Sequence, residues 1–325
     1  MTIEGARASL SPAMRALFLG CGALLVLVGA CSDDTSSDYV NNEPSPSAST
    51  PVNRTDAGTK MSAEAGVDGA TPDAETPPPQ PVVYVNYTQE TMTVNGQART
   101  YWLGTPATLE PGKTYPVVMS FHGNPGSAQL SMEGERFDAT SKGDAIIVYP
   151  QALWADGNGL FNWDHSVSAG NVDIPFVDAL PGELAAKGLP VDATRIYGYG
   201  YSGGAFFMQS YQCLQGGKIF RAITSNAGGV PGGGGSTCST CSTQTVPTLL
   251  IHGLADAETG NGNDEARCQA ASSGCSSDLT DTAPAPCQLY GGCRSVVQRC
   301  SIQGLGHYPG WAEGVPTAWA FFGTH

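Results

Sequence analysis

The pattern of hydrophobic positions divides the chain near residue 82. From there on, short and nearly continuous apolar runs recur, and such runs are typical of parallel strands that are covered on both faces. Segments able to form helices lie between several of them, so the alternation predicts a doubly wound α/β domain. The runs are 117–121, 145–149, 195–199, 221–224 and 248–251.

Other elements follow from the same pattern. Residues 82–87 and 91–94 are expected to be strands, and Asn95-Gly96 is a hairpin turn signal that returns the chain into a strand at 99–103. Helices are predicted at 172–187, broken or kinked near Pro181, and at 204–214. We therefore expect residues 82–325 to form a single domain, since α/β architectures often exceed 200 residues as one unit.

The residues before this domain have a different composition. Two arginines precede the apolar run 16–28, which is short and interrupted by glycine, and the run ends in Val28-Gly29-Ala30-Cys31. Small residues before a cysteine resemble a bacterial lipobox. We expect residues 1–31 to be a lipoprotein-type signal peptide with Cys31 lipidated; an ordinary signal peptide cut after Ala30 is the alternative.

Residues 32–81 are dominated by Ser, Thr, Asp, Ala and Pro. Such a segment buries too little apolar surface to offset its chain entropy, so it is predicted to be a disordered tether. The expected location is extracellular or in the cell envelope, as a lipid-anchored bacterial lipoprotein that contacts the membrane only through its N-terminal anchor.

Charge and cysteine content narrow the functional classes. The chain has 15 Lys and Arg against 29 Asp and Glu and contains no basic run, which argues against a nucleic-acid partner. Of its ten cysteines, eight follow residue 81, and an even number in an exported protein predicts disulfides of open connectivity. Cys238 and Cys241 have the spacing of a zinc or redox pair, but no second pair accompanies them. We expect no metal, no cofactor and a monomer.

The sharpest motif is Gly200-Tyr201-Ser202-Gly203-Gly204, which has the pattern G-x-S-x-G. A predicted strand runs into it and a predicted helix runs out, and this context is typical of a nucleophile elbow. Ser202 is therefore the candidate nucleophile. The N–H of Gly203, at the start of the helix, is expected to stabilise an oxyanion.

The base and the acid of a serine hydrolase of this kind follow the serine in the order acid, then histidine. Of the later histidines, His325 ends the chain and His252 ends an apolar run, where we expect a structural role. His307 lies in a glycine-rich loop and is the predicted base. Asp256 follows the run 248–251 and is the predicted acid.

Two acids compete with Asp256, namely Glu258 and Asp264. The second oxyanion donor is expected from the loop after the run 117–121, where the backbone N–H of Asn124 is the candidate. His122, just before it, is expected to pack below the site.

Four motifs together resemble one family. They are His122-Gly123, the elbow, His252-Gly253-x-x-Asp256 and Gly306-His307-x-Pro309-Gly310. In this order they are similar to the secreted esterases that include polyhydroxybutyrate depolymerases, feruloyl esterases and acetylxylan esterases. The resemblance implies an α/β-hydrolase fold over residues 82–325. The cysteine-rich insert 257–293, which lies before the last strand, departs from the family pattern and is expected to form a lid or a wall of the substrate site.

The resemblance also implies the roles already given to Ser202, Asp256, His307, Gly203 and Asn124. Phe161-Asn162-Trp163 resembles an aromatic segment that these enzymes place near the substrate. One departure is Gly203, where the family more often has Asn or another small polar residue.

The predicted function is an exported serine carboxylester hydrolase that works through an acyl-enzyme. Its expected substrates are feruloyl or acetyl esters on plant polysaccharide, and a polyester such as polyhydroxybutyrate is the alternative. An acyltransferase with the same triad and a non-catalytic binding protein are further hypotheses. Predicted substrate contacts are Trp163, Tyr201 and Trp311.

Overall fold

A computed structural model describes residues 82–233, 237–238, 241, 245–307 and 312–325. All of them belong to one compact unit, Thr76–His325. The predicted signal peptide with Cys31, the predicted tether over 32–81 and the predicted contact Trp311 lie outside the described residues.

A mixed sheet forms the centre of the described domain. The described strands are β1 Val85–Val94, β2 Gln97–Pro106, β3 Tyr115–Phe121, β4 Ile146–Pro150, β5 Trp154–Ala155, β6 Phe161–Asn162, β7 Val191–Tyr201, β8 Ala222–Asn226, β9 Thr248–Gly253, β10 Leu279–Asp281, β11 Cys287–Tyr290 and β12 Val297–Ile302. The ten strands of the sheet are hydrogen-bonded in the order β1-β2-β4-β3-β7-β8-β9-β12-β11-β10, and β5 and β6 form a separate two-stranded sheet.

Helices connect the strands and cover the sheet. The described helices are α1 Ala128–Glu135, α2 Phe137–Ser141, α3 Ile174–Ala186, α4 Gly203–Gln215, α5 Asn263–Ser272 and α6 Gly314–Gly323. Among the described residues, none of these helices combines the length and the apolar character that crossing a bilayer would need.

The inner strands, from β4 to β12 in sheet order, are parallel, and antiparallel pairs occur only toward the two edges. Every residue of β3, β4, β8 and β9 is buried. This explains why the apolar runs are continuous, because strands with helices on both faces have no solvent-facing side. The predicted doubly wound parallel sheet is confirmed.

Alternate residues of β3 enter two different cores. Val117 and Met119 pack in one cluster with α3 and α4 side chains such as Phe176 and Phe207. Val118 points to the opposite face and belongs to the cluster that contains residues of α6. The period of two along the strand thus distributes its side chains between the two helical layers.

Two local predictions differ from the structure. The first strand begins at Val85 rather than at residue 82, and it runs on through 91–94 as one strand, β1, because the polar residues 88–90 pair in register with β2 at the sheet edge. The helix predicted to be broken or kinked near Pro181 is not broken there and continues through it as α3, whose buried side chains Phe176, Val177 and Leu184 hold it on the core.

The prediction of disulfides is confirmed for the eight cysteines after residue 81. The pairs are Cys213–Cys241, Cys238–Cys268, Cys275–Cys293 and Cys287–Cys300. Cys238 and Cys241 therefore bond to other cysteines and not to each other or to a metal. The cysteine-rich insert carries α5 and then β10 and β11, which extend the sheet beyond β12.

Candidate active site

The strand order places a crevice next to the elbow. β3 and β7 are neighbours, but the strand after β3 in the chain lies on one side of this pair and the strand after β7 lies on the other. Ligands of open α/β sheets bind beyond the carboxyl ends of the strands at such a switch point. Here the carboxyl end of β3 leads into the loop 122–127, called the His122 loop, and the carboxyl end of β7 leads into Ser202.

Ser202 occupies the sharp turn between β7 and α4. Its φ of 50° and ψ of −117° are strained for a residue with a side chain. Its backbone N–H donates to the carbonyl of Asn226 at 2.9 Å, and its own carbonyl accepts the N–H groups of Ala205 and Phe206. These bonds hold the turn in the conformation that presents the hydroxyl.

Two glycines of the motif make this turn possible. A Cβ added to Gly200 would lie 2.4 Å from the carbonyl oxygen of Gly204. A Cβ added to Gly204 would lie 2.1 Å from the carbonyl oxygen of Phe121, at the end of β3. Strand, helix and neighbouring strand therefore approach so closely that no side chain fits between them.

The structure brings Ser202, His307 and Asp256 into one hydrogen-bonded chain. The distance from Ser202 Oγ to His307 Nε2 is 3.0 Å, and the distance from His307 Nδ1 to Asp256 Oδ2 is 2.8 Å. Since an ionised carboxylate only accepts, Nδ1 carries the proton in this arrangement and Nε2 accepts the serine hydroxyl. All three residues are buried.

Asp256 is held by several donors besides the imidazole. Its Oδ1 accepts the backbone N–H groups of Glu258 and Thr259, and its Oδ2 accepts the hydroxyl of Thr259. Burial raises the pKa of the Asp256 carboxyl, but the hydrogen bonds from His307 and Thr259 outweigh it and leave this pKa lowered. The carboxylate form is therefore favoured beside the imidazole.

The two competing acids are placed differently. Asp264 pairs with Arg267 on the exposed surface of α5. Glu258 Oε2 lies 3.8 Å from His307 Nε2, the nitrogen that faces Ser202. Neither carboxylate occupies the Nδ1 side, so the geometry favours Asp256 for the orienting role.

Asn124 and Gly203, the two predicted oxyanion donors, lie against each other beside the serine. A Cβ on Gly203 would come within 2.3 Å of Asn124 Cγ. This contact explains the glycine at position 203, since a larger residue there would displace the Asn124 side chain. The assignment of the two backbone N–H groups to an oxyanion stays a prediction.

His165 is a neighbour of both donors that the sequence reasoning missed. Asn124 Nδ2 donates to His165 Nε2 at 2.9 Å, and the same ring hydrogen-bonds the backbone of Gly203. Burial lowers the pKa of His165 and so favours the neutral ring that can accept from Asn124. The order serine, acid, histidine along the chain draws attention only to histidines after Ser202, and no other sequence signal marks position 165.

The prediction that Trp163 contacts substrate is wrong. Its ring is only 2% exposed, stacks on Phe207 at 4.8 Å, and donates Nε1–H to the carbonyl of His122. The ring fills the core beneath the loop that carries Asn124, called the oxyanion loop below for its predicted role. It offers no surface to a ligand. Its backbone N–H donates to Asn124 Oδ1 at 3.0 Å, so Trp163 supports the loop from below.

Tyr201 remains beside the site, as predicted. Its hydroxyl donates to the carbonyl of His307 at 2.9 Å, and its ring lies 5.4 Å from the imidazole. It is half-buried and lines a cavity next to the serine. Contact with substrate stays a prediction for this residue.

The other two buried histidines have structural partners. His122 Nε2 accepts the N–H of Ala152, and Nδ1 donates to the carbonyl of Gly123. Burial lowers the pKa of His122 to about 4, so its ring is neutral. His252 Nε2 lies 2.5 Å from Glu265 Oε2 in a buried pair. Within the described part of the chain, no group of three or more His, Cys, Asp and Glu is arranged to hold a metal.

Comparisons with known proteins identify the fold. Neither a scan against protein-family models nor a search of curated proteins gave a match. Among solved structures, the chain is similar to an acetyl xylan esterase from Aspergillus awamori, with a TM-score of 0.57 and 16% identity over 73% of this chain and 100% of that one.

Two further structures are similar. An S-formylglutathione hydrolase from Agrobacterium tumefaciens has a TM-score of 0.51 and 12% identity, over 76% of this chain and 95% of that one. A ferulic acid esterase has a TM-score of 0.50 and 13% identity, over 74% of this chain and 99% of that one. The chain has the α/β-hydrolase fold, as the motifs predicted.

The elbow contact makes a testable prediction about stability. Gly204→Ala should lower the free energy of unfolding by about 1–3 kcal/mol, because the added methyl overlaps backbone atoms of the neighbouring strand that cannot move aside cheaply. Chemical denaturation measures the difference.

Gly182→Ala is the matched control. Gly182 lies inside α3 with no atom within 4 Å of an added Cβ, so alanine there should raise stability by about 0.5–1 kcal/mol. Equal effects of the two substitutions would contradict the proposed packing constraint.

Proposed function

We propose that the protein is a serine carboxylic ester hydrolase that works through an acyl-enzyme. The observation that carries the proposal is the continuous hydrogen-bonded chain from Ser202 Oγ through His307 to Asp256, with distances of 3.0 and 2.8 Å. A serine hydroxyl is a weak nucleophile unless an adjacent base removes its proton. This arrangement supplies that base and the carboxylate that orients it.

In the first half of the reaction, Ser202 Oγ attacks the ester carbonyl carbon while His307 Nε2 takes the hydroxyl proton. The carbonyl oxygen becomes an oxyanion, and the backbone N–H groups of Gly203 and Asn124 stabilise it. The carbon–oxygen bond to the alcohol then breaks. His307 returns the proton to the leaving alkoxide, and the acyl group stays on Ser202.

In the second half of the reaction, water attacks the acyl group on Ser202 and takes the place that the alcohol had in the first half. His307 accepts a proton from the attacking water, the acid product leaves, and Ser202 recovers its hydroxyl. Asp256 stays ionised throughout, because its charge stabilises the imidazolium that forms in both halves. The environment that lowers its pKa favours this state.

Preorganisation of the oxyanion loop supports the same proposal. Trp163 and His165 fix the two polar atoms of the Asn124 side chain, so the loop is positioned before a substrate arrives. Donors that are already in place need no rearrangement when charge develops in the transition state.

Acetyl or feruloyl esters on plant polysaccharide are the proposed substrates, and the proposed location is outside the cell. The substrate class is supported by the sequence motifs and by the structural similarity to an acetyl xylan esterase and a ferulic acid esterase. Export is supported by the disulfides, since these persist in oxidising compartments, and by the lipobox-like sequence ending in Cys31.

Ser202→Ala should abolish hydrolysis of p-nitrophenyl acetate, because no other group replaces the nucleophile. Release of p-nitrophenol measures activity, and circular dichroism with a thermal melt checks the fold. Ser168→Ala, at an exposed serine, is the control and should keep normal turnover. Near-normal turnover of Ser202→Ala would falsify the assignment of the nucleophile.

Asp256→Asn should lower kcat on the order of 10⁴-fold, because an amide at this position no longer favours the tautomer that leaves Nε2 as the acceptor. Asp264→Asn removes the competing acid on α5 and should leave kcat close to that of the parent enzyme. Steady-state kinetics on p-nitrophenyl acetate compares them, and a larger loss from Asp264→Asn would reverse the assignment.

A substrate panel tests the proposed ester class. Purified protein should release acid from methyl ferulate or acetylated xylan, and the Ser202→Ala variant should not. Chromatography of the released acids measures both reactions. Clearing of a polyhydroxybutyrate film without activity on the other two substrates would replace polysaccharide esters by a polyester.

A further inference from the structure

A cavity of about 670 Å³ opens next to the proposed nucleophile. Gly123 and Tyr201 form its wall on the side of Ser202, and a Cβ on Gly123 would lie 3.4 Å from the Cβ of Ser202. Residues of α1, α2 and the start of α6, the loop after β3, and the ends of β7 and β8 line the rest. Its volume is within the range of about 300–1,000 Å³ that is typical of small-molecule sites.

The lining combines apolar surface with one carboxyl group. Several of its side chains are hydrocarbon, among them Pro125, Leu130, Val315 and Pro316. Glu135, the last residue of α1, is the acidic side chain of the described lining. The described lining has one basic side chain outside its histidine, Arg136, which is 59% exposed and pairs with Asp138.

Neighbouring serines fix the orientation of the Glu135 carboxyl. The hydroxyl of Ser120, on β3, donates to Glu135 Oε2, and Ser131, one turn earlier on α1, also hydrogen-bonds the carboxyl. Burial raises the pKa of Glu135 to about 8, and the two serine bonds reduce this effect only in part. At neutral pH the group is therefore mostly a carboxylic acid, which has one O–H to donate.

Several other titratable groups surround Glu135. Burial raises the pKa values of Tyr87, Tyr149 and Tyr199, and His122 is neutral because burial lowers its pKa to about 4. Tyr87, Tyr149 and Tyr199 face Glu135, and Asp138 pairs with Arg136 nearby. The titratable or charged groups that line the cavity with Glu135 are His122, Arg136, Tyr199 and Tyr201.

We propose that this cavity receives one arm of the ester substrate and that Glu135 donates a hydrogen bond to an acceptor oxygen near the end of that arm. The preferred substrate class is an ester with a neutral arm that is apolar along its length and carries an ether or carbonyl oxygen at the far end. This inference rests on the proposed esterase function.

The chemistry of the lining selects against two other classes. A purely hydrocarbon arm supplies no acceptor for the Glu135 O–H, so it gains no hydrogen bond in exchange for displacing solvent from this group. In the described lining, the basic side chain open to an anionic arm is Arg136, which already bonds to Asp138. A neutral hydrogen-bond acceptor, such as an ether or carbonyl oxygen, is therefore the partner that suits the O–H of Glu135.

Matched substrate pairs test the inference. Each p-nitrophenyl ω-methoxyalkanoate is compared with the p-nitrophenyl alkanoate of equal chain length, so that one oxygen replaces one methylene. The measured quantity is the ratio of their kcat/KM values over a series of lengths. Because both esters use the same triad, its titration cancels in the ratio.

At the chain length that reaches Glu135, the methoxy ester should be preferred by roughly fivefold at pH 6.5, the range of a single hydrogen bond. The preference should disappear as the pH rises through about 8, since a carboxylate repels the lone pairs of an ether oxygen. A ratio that never exceeds one at any length overturns the proposal.

Three variants separate the role of Glu135 from general damage. Glu135→Gln keeps an N–H donor, so the preference should persist but lose its dependence on pH. Glu135→Leu should remove the preference. Glu133→Gln, on the exposed side of the same helix, is the control and should behave like the parent. A preference that survives Glu135→Leu overturns the proposal.

A measurement without substrate checks the titration of Glu135. Since its pKa is raised in the folded state, ionisation opposes folding, and the stability present below pH 4.5 is lost as the pH rises through about 8. Thermal melts should therefore show Glu135→Gln gaining stability over the parent between pH 5 and 9. Parallel profiles of the two proteins overturn the assignment of a neutral acid.

The two proposals fail in different ways. If the parent protein hydrolyses p-nitrophenyl esters through Ser202 without any methoxy preference, the cavity inference is wrong and the esterase proposal stands. If no ester is hydrolysed in a Ser202-dependent way, the esterase proposal is wrong and the cavity inference falls with it. The melts with Glu135→Gln still report the protonation of Glu135 in that case.

Discussion

The close approach of Gly204 to the carbonyl oxygen of Phe121 is the constraint on which the site depends. The start of α4 can lie against the end of β3 only because position 204 has no side chain. This contact brings the His122 loop next to Ser202, and it tightens the turn that holds Ser202 at a positive φ. Ser202, the proposed nucleophile, and the loop that carries Asn124 are thus positioned by one close contact between backbones.

A second layer of interactions keeps that loop in place. The segment that carries Trp163 and His165 is tied to α3, because Asp164 N–H donates to Asp173 Oδ2. Asp173 in turn forms a buried ion pair with Arg99 of β2 at 2.5 Å. Removing one member of such a pair leaves an uncompensated buried charge. Residues far from the serine in sequence therefore determine how well the oxyanion loop is held.

Local patterns predicted the features that are encoded locally. The buried strands β3, β8 and β9 appear as continuous apolar runs, and the elbow appears as glycines flanking Ser202, because each depends on neighbours along the chain. The order of Asp256 and His307 after the serine follows from the topology of the fold. For these reasons the fold and the chemistry-bearing residues could be proposed without coordinates.

Features that depend on packing between distant parts of the chain could not be predicted from local sequence patterns. Trp163 has the composition of a binding residue, but only the structure shows that its ring faces the core. His165 and Glu135 belong to no motif, since each acquires its function from partners on other elements, Asn124 for the former and Ser120 for the latter. The insert 257–293 likewise gave no sign that two of its segments would extend the sheet.

The contrast between Asp256 and Glu135 shows how the fold divides the roles of one functional group. Asp256 is buried and Glu135 is partly buried, and burial alone raises the pKa of each carboxyl. Asp256 receives hydrogen bonds from the imidazole, two backbone N–H groups and a hydroxyl, which together reverse the effect. Glu135 receives only serine hydroxyls, which do not. The same functional group can therefore take both proposed roles, as an anion that orients the base and, across Gly123, as an acid that donates to a substrate.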